Sequence, residues 1–241
     1  VGERVYLELM ARDVAAVSAR LERHIAEALQ HEGEYGEKAR EAFAGFLAAL
    51  HDVINPFVTE EEARGMLVQH IVTKPIFDAI FGEYEFLKEN PIARSFDQLA
   101  SVFETFVNKE TRTLKNFYRL IQVRAKGLDK EAERQDFLRQ LYDTFFKVAF
   151  PKTAERLGIV FTPVEVVDFL VKSVEAILRG EFGLSLADKK VVILEPFIGT
   201  GTFLVRLIHQ LPPEALARKY RDGEIWGNEI LLLPYYIALA N

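Results

Sequence analysis

Apolar residues recur along the first part of the chain at steps of three and four. Val14, Val17, Leu21, Ile25 and Ala28 keep this spacing, which stacks them on one helical face, while Arg12, Asp13, Arg20, Glu22 and Arg23 fill the remainder. His31 to Gly36 carries two glycines and is predicted as a loop, followed by a helix from Glu37 to Val53 that Asn55-Pro56 terminates. Thr59 stands three residues before Glu62, the spacing of a capping box, and predicts a helix through Phe81 that Pro75 kinks or divides. Asn90-Pro91 reads as an N-cap with proline at the first helical position. Another helix is predicted to end at Gly127, and Asp129 caps the next, which runs to Pro151. The expectation for residues 1–157 is a bundle of roughly six or seven helices without internal repeat.

Past Leu157 the periodicity alternates. Thr162-Pro163-Val164-Glu165 has capping-box spacing with proline in the first turn, predicting a helix from Pro163 to Arg179. Val191 to Leu194 is a short apolar run, expected as a strand buried on both faces of a parallel sheet. A glycine-bearing turn from Glu195 to Gly201 leads into a helix from Thr202 to Gln210. Another helix follows Pro212-Pro213, then a strand from Glu224 to Asn228 and a helix near Pro234. Strand, turn, helix and strand open a doubly wound α/β sheet. Two strands do not make a stable open sheet, so residues 158–241 are expected to be the first part of a larger domain. Val at position 1 and the apolar helical run before Asn241 point the same way, to a piece of a longer protein.

Composition narrows the function classes. The chain has 241 residues, a net charge of −6, 49% hydrophobic and 12% aromatic residues, which is far too apolar and aromatic for a disordered acidic chain. No apolar run reaches the ~18 residues of a membrane span, and no leader pattern is present. The absence of cysteine excludes disulfides, thiolate zinc sites, iron–sulfur clusters and a cysteine nucleophile in this segment. A cytoplasmic protein is expected. His24, His31, His51, His70 and His209 lack metal-ligand spacing and are read as structural.

The segment richest in chemical information is Val191–Leu204, VVILEPFIGTGTFL. Ligands of open parallel sheets lie beyond the carboxyl ends of the strands, where Glu195 falls. Gly199 and Gly201 let a ligand approach the backbone and tolerate positive φ, and the following helix turns free amides toward the same place. A carboxylate beside free amides suits a ligand carrying both an ammonium and a carboxylate, as the amino-acid end of S-adenosyl-L-methionine does. At the end of the second strand, Glu229 can accept hydrogen bonds from both hydroxyls of a ribose, and Ile230 offers an apolar surface to a purine. Two phosphate-loop readings fail. The dinucleotide fingerprint needs glycine where Leu204 stands, and the NTPase loop needs lysine after Gly201, where Thr202 stands.

Glu195-Pro196-Phe197-Ile198-Gly199-Thr200-Gly201-Thr202-Phe203-Leu204 resembles motif I of adenine-N6 DNA methyltransferases, commonly Asp-Pro-x-x-Gly-Ser/Thr-Gly-x-Phe, with Glu195 in place of the usual Asp. Phe161-Thr162-Pro163 resembles their motif X, which lines the methionine end of the cofactor, and Gly227-Asn228-Glu229-Ile230 resembles motif II, whose acid holds the ribose. The resemblance implies a Rossmann-like methyltransferase fold that binds S-adenosyl-L-methionine through Phe161, Thr162, Pro163, Glu195, Pro196, Phe197, Gly199, Thr200, Gly201, Thr202, Phe203, Glu229 and Ile230. Thr59–Phe81 is similar to the helical coupler before the methyltransferase of single-polypeptide Type I (ISP) restriction-modification enzymes. That family implies an upstream nuclease and translocase, a downstream target-recognition domain and double-stranded DNA as partner.

The catalytic motif IV of this family, Asp/Asn-Pro-Pro-Tyr/Phe, occurs nowhere in the 241 residues; Pro212-Pro213 is flanked by Leu211 and Glu214. In the family that motif receives the extruded adenine. The resemblance therefore implies a cofactor-binding segment without a catalytic residue, inactive alone, from a parent enzyme that methylates adenine N6 in DNA. The alternative is a helical coupling module between motor and methyltransferase with no activity of its own; an RNA or protein acceptor is a third reading. Residues 109–152 hold 11 Lys/Arg against 6 Asp/Glu. With Phe117, Tyr118 and Phe137 interleaved, they form either a DNA-facing or interdomain surface or a solvated helix back whose aromatics belong to the core.

Overall fold

The computed structural model describes residues 2–53, 55–81, 90–128, 133, 137, 141–150 and 162–240. The chain divides into two compact units, Val1–Ile159 and Val160–Asn241. The change of character expected after Leu157, most of the helix expected from Asp129, and Phe161 lie outside the described residues.

The first unit is helical. Its described elements are α1 (Gly2–Gln30), α2 (Glu34–Val53), α3 (Glu60–Phe81), α4 (Pro91–Val102), α5 (Glu104–Thr111), a 3-10 turn (Arg112–Leu114) and α6 (Lys115–Lys126), then a π-helical turn (Leu141–Phe146) running into Lys147–Ala149. α1 and α3 form the centre. α1 packs on α2, α3, α5 and the π-helical turn, and α3 on α4 and α6. The predicted face of α1 is the buried one, from Val14 through Ala28, and Leu7 and Ala11 extend it by the same spacing.

Several local rules operate as the residues imply. Thr59 Oγ1 accepts from the Glu62 amide at 3.2 Å while Glu62 Oε2 accepts from the Thr59 amide at 2.8 Å, a reciprocal capping box. Asn90 Oδ1 accepts from the amides of Ile92 and Ala93, with Pro91 as the first helical residue.

Tertiary packing changes two expectations. The loop after α1 ends earlier than Gly36, because α2 starts at Glu34. A Cβ at Gly36 would fall 1.8 Å from the His31 carbonyl oxygen, so this glycine serves close backbone approach inside a helix. Arg40 closes the junction, donating to the carbonyls of Leu29 and His31. Pro75 stays inside one continuous α3 instead of dividing it. Between the Asn90-Pro91 start and Gly127 lie α4, α5, a 3-10 turn and α6. The Thr111 and Thr113 hydroxyls donate to the carbonyls of Val107 and Glu110 beside that turn, competing with the helical ladder.

The second unit contains α7 (Val164–Phe182), β1 (Ile193–Glu195), α8 (Thr202–Ile208), α9 (Pro213–Arg221), β2 (Ile225–Gly227) and α10 (Leu232–Ala240). β1 and β2 run parallel, with Ile193 opposite Ile225 and Glu195 opposite Gly227. The unit thus begins a Rossmann-like sheet, as the alternation of elements implies. Its core is Val167, Val171, Leu186, Ile193 and Leu211, with Leu178, Phe203 and Leu207 packed around it.

Two expectations fail here. The first strand is not buried on both faces: Ile193 is buried, but Val192 and Leu194 are 60% and 64% exposed. α7 and α8 contribute to the core on the Ile193 side, and no described element covers the opposite face. The capping box at Thr162 does not form either. Pro163 is itself the N-cap, in an extended conformation and without a side-chain capping bond, and its carbonyl accepts from the amides of Val166 and Val167. Proline at that position moves the helix start by one residue, so Thr162 is too early to cap it.

Candidate functional site

The glycine-bearing turn after β1 is built onto the end of β2. The Asn228 amide donates to the Glu195 carbonyl at 2.9 Å, the Asn228 carbonyl accepts from the Ile198 amide at 2.9 Å, and Asn228 Nδ2 donates to the Pro196 carbonyl at 3.1 Å. These bonds extend the parallel pairing by one residue and fold the turn back over the strand tips. Sequence patterns alone missed this role of Asn228; its place directly after a strand-ending glycine was the available signal.

Glycines make the fold-back possible. Gly199 and Gly201 have φ of 55° and 87°, the left-handed region that costs other residues about 1–2 kcal/mol. A Cβ on Gly201 would also meet the Ala238 backbone at 3.3 Å. At Gly227 the constraint is space: a Cβ there would lie 2.5 Å from Ile198 Cδ1. The Gly201 amide donates to the Ile198 carbonyl at 2.8 Å, closing the turn immediately before α8.

Both acids singled out by the sequence flank this turn. Glu195 is half-buried, and its Oε1 accepts from the Phe197 amide at 3.2 Å. Glu229 is also half-buried; Oε2 accepts from the Gly199 amide at 2.9 Å and Oε1 from the Leu231 amide at 2.7 Å. Each carboxylate oxygen retains a further lone pair, so two backbone amides orient Glu229 without exhausting it. Pro196, Phe197 and Ile230 are exposed, Phe197 most of all at 85%. Thr200 and Thr202 bring their hydroxyls to 3.5 Å from each other. Phe203 packs on the core cluster.

Thr162 and Pro163 stand at the start of α7. There Asp168 receives Arg206 Nε and Nη2 of α8, both at 2.6 Å, in a fork that fixes α7 on the helix following the turn. The hydrogen bond from Arg206 holds the Asp168 carboxyl below the usual range. This pair was not legible in the sequence, since 38 positions separate its members.

Below the turn, Lys219 is fully buried and donates to the carbonyls of Asp188 and Val191, both at 2.7 Å, and to Glu224 Oε2 at 3.1 Å. Glu224 also accepts from the Lys190 amide at 2.7 Å, and these bonds lower its pKa. The pair sets where both strands begin. A cavity of about 350 Å³ adjoins β1 and is lined by Glu195, Leu194, Phe203 and apolar residues of α7.

Sequence families match the chain in two consecutive blocks. Residues 6–133 match the coupler domain of Type ISP restriction-modification enzymes, which is more than half of the chain. The chain belongs to the Type ISP coupler family. Its remainder, residues 133–241, matches the N-6 DNA methylase family. The ISP coupler is therefore followed here by the start of an N6-adenine methyltransferase domain, as in the single-polypeptide enzymes.

Solved structures agree. The chain is 41% identical to the ATP-dependent Type ISP restriction-modification enzyme LlaBIII bound to DNA, over 97% of this chain and 16% of that one, with a TM-score of 0.82. A nuclease-deletion mutant of the Type ISP enzyme LlaGI, in complex with a DNA substrate mimic, gives 39% identity over 97% and 19%, with a TM-score of 0.82. A DrdV–DNA complex gives 35% over 98% and 23%, with a TM-score of 0.79. This ISP coupler segment thus spans less than a quarter of the length of each of these relatives. No curated protein matches the chain.

Proposed function

We propose that this chain is the coupler and the first part of the S-adenosyl-L-methionine site of a Type ISP restriction-modification enzyme that methylates adenine N6 in DNA. The observation that carries the reading is the attachment of the Gly199–Gly201 turn to the tip of β2 through Asn228 and Glu229, in a chain matching the two families in this order.

The residues present fit this cofactor. Two half-buried carboxylates stand at neighbouring strand ends, and the turn between them carries two left-handed glycines. Glu229, oriented by two amides, offers its remaining lone pairs to a ribose diol. Ile230 is half-exposed beside it for the purine. Glu195 takes the ammonium, and Thr200 and Thr202 supply hydroxyls near the amino-acid end. Pro196 and Phe197 form the exposed outer wall of the turn, and Phe203 anchors α8 beneath it. The motif resemblance assigns Phe161, Thr162 and Pro163 to the methionine end, and the Asp168–Arg206 fork joins α7, which follows Pro163, to α8.

The bound cofactor supplies an activated methyl on a sulfonium. The work of these residues is to bind and orient it, since alignment of reacting groups is itself a large share of catalysis. No acid–base group is assigned, and the adenine-receiving motif is absent from these residues. The segment therefore has no transfer activity alone. The helical unit joins the motor and methyltransferase of the same polypeptide, and double-stranded DNA is the partner of the whole enzyme. Calorimetric titration of the full-length parent with S-adenosyl-L-methionine tests the reading. Binding weakened about 10- to 100-fold on Glu229→Ala is expected; binding of undiminished affinity would overturn the assignment.

A further inference from the structure

A cleft of about 620 Å³ opens in the first unit where α3 faces the junction of α5, the 3-10 turn and α6. Its lining includes Pro75, Asn108, Lys109, Arg112, Lys115 and Tyr118, and no carboxylate among the described residues. From Thr105 to Lys126 the chain carries six cations and a single acid, Glu110. That acid is turned inward, 9% exposed and paired with Arg20. Lys109, Arg112, Lys115 and Arg119 are all exposed, and among the described residues none makes a hydrogen bond or ion pair. Of the aromatics interleaved with them, Phe117 is buried against Phe145, while Tyr118 is half-buried, lines the cleft and donates from its hydroxyl to the Val72 carbonyl at 3.0 Å. In a chain of net charge −6, Lys109, Arg112, Lys115 and Arg119 form a localised positive surface on a fixed floor.

The backbone sets the spacing. Side chains three apart eclipse in a 3-10 turn, so Arg112–Leu114 brings Arg112 and Lys115 into line, with Lys109 one helical turn before. From Lys109 to Lys115 the axial rise is roughly 10 Å, so the three cations are spread over about three base-pair steps of a duplex at ~3.4 Å of axial rise each.

We infer that this cleft grips the phosphate backbone of duplex DNA without reading its sequence, through Lys109, Arg112 and Lys115, with Arg119 continuing the track. The inference rests on the reading of the parent enzyme as DNA-acting. Contacts of this kind fix register on the duplex and leave base discrimination to other elements.

Fluorescence anisotropy of the full-length parent on a labelled duplex, over a series of KCl concentrations, tests it. The variant combines Lys109→Ala, Arg112→Ala and Lys115→Ala, all at exposed positions. The slope of log K against log salt should shrink by about 2–3, and affinity at ~0.1 M salt should fall about tenfold or more, for duplexes with and without the target sequence alike. Arg112→Lys should keep most of the slope. An unchanged slope, as expected if an acidic protein segment occupies the cleft, would overturn the inference; so would a loss confined to the target sequence. Calorimetry with S-adenosyl-L-methionine on the same proteins separates the two readings. The triple variant should bind it normally, and only Glu229→Ala should weaken its binding.

Discussion

Glu229 Oε2 accepts the amide hydrogen of Gly199 at 2.9 Å, across 30 positions of sequence. The bond ties the acid after β2 to the turn after β1, so the charge proposed to hold the ribose also braces the backbone beneath the rest of the site. Substitution at position 229 should therefore act twice. Hydrogen bonds to a charged group contribute about 1.5–3 kcal/mol, so Glu229→Ala should weaken S-adenosyl-L-methionine about 10- to 100-fold in calorimetry. Amide exchange at Gly199 should accelerate in the same variant without ligand. Glu229→Gln, which can still accept from that amide, should lose affinity but keep the protection.

The two tight glycines should respond differently to alanine. At Gly201 the φ of 87° is itself unfavourable and the nearest obstacle is the Ala238 backbone. Gly201→Ala should cost at least about 1–2 kcal/mol in denaturant unfolding, with no single compensating change. At Gly227 the obstacle is the tip of the Ile198 side chain. Gly227→Ala should be partly rescued by Ile198→Ala, giving a positive coupling in a double-mutant cycle.

Asp168 with Arg206, Glu110 with Arg20 and Glu224 with Lys190 and Lys219 each have a carboxyl held below its usual pKa by the hydrogen bonds they accept. A depressed folded-state pKa contributes stability above the unfolded value and loses it as pH falls through the folded one. Thermal stability should be level from neutrality down to about pH 5, then decline through the carboxylate range. Asp168→Asn should flatten that decline, which melting curves across pH would reveal.

In the helical unit the core seam of α1 is expected to dominate stability. Leu21 is 1% exposed, and Leu21→Ala should cost about 2–5 kcal/mol. Val123 is 65% exposed, and Val123→Ala should stay within about 0.5 kcal/mol. Equal losses from the two substitutions in urea melts would contradict this core.

Local physics set much of this protein directly in its residues. The α1 face from Val14 to Ala28, the Thr59–Glu62 box and the Asn90-Pro91 start depend on neighbours within one or two helical turns, so their spacing was enough to read them. The glycine turn after β1 and the acid after β2 were legible for the same reason, as letters at fixed offsets. Tertiary contacts decided the rest. Gly36 sits inside a helix because the His31 carbonyl crowds it, and α3 continues through Pro75. Val192 and Leu194 are exposed despite their apolar character because no described element covers their face. Asn228, the Asp168–Arg206 fork and buried Lys219 hold the site together through partners 28–38 positions away. Pairings at that separation leave no periodic trace; they exist only once folding has brought the chain segments together.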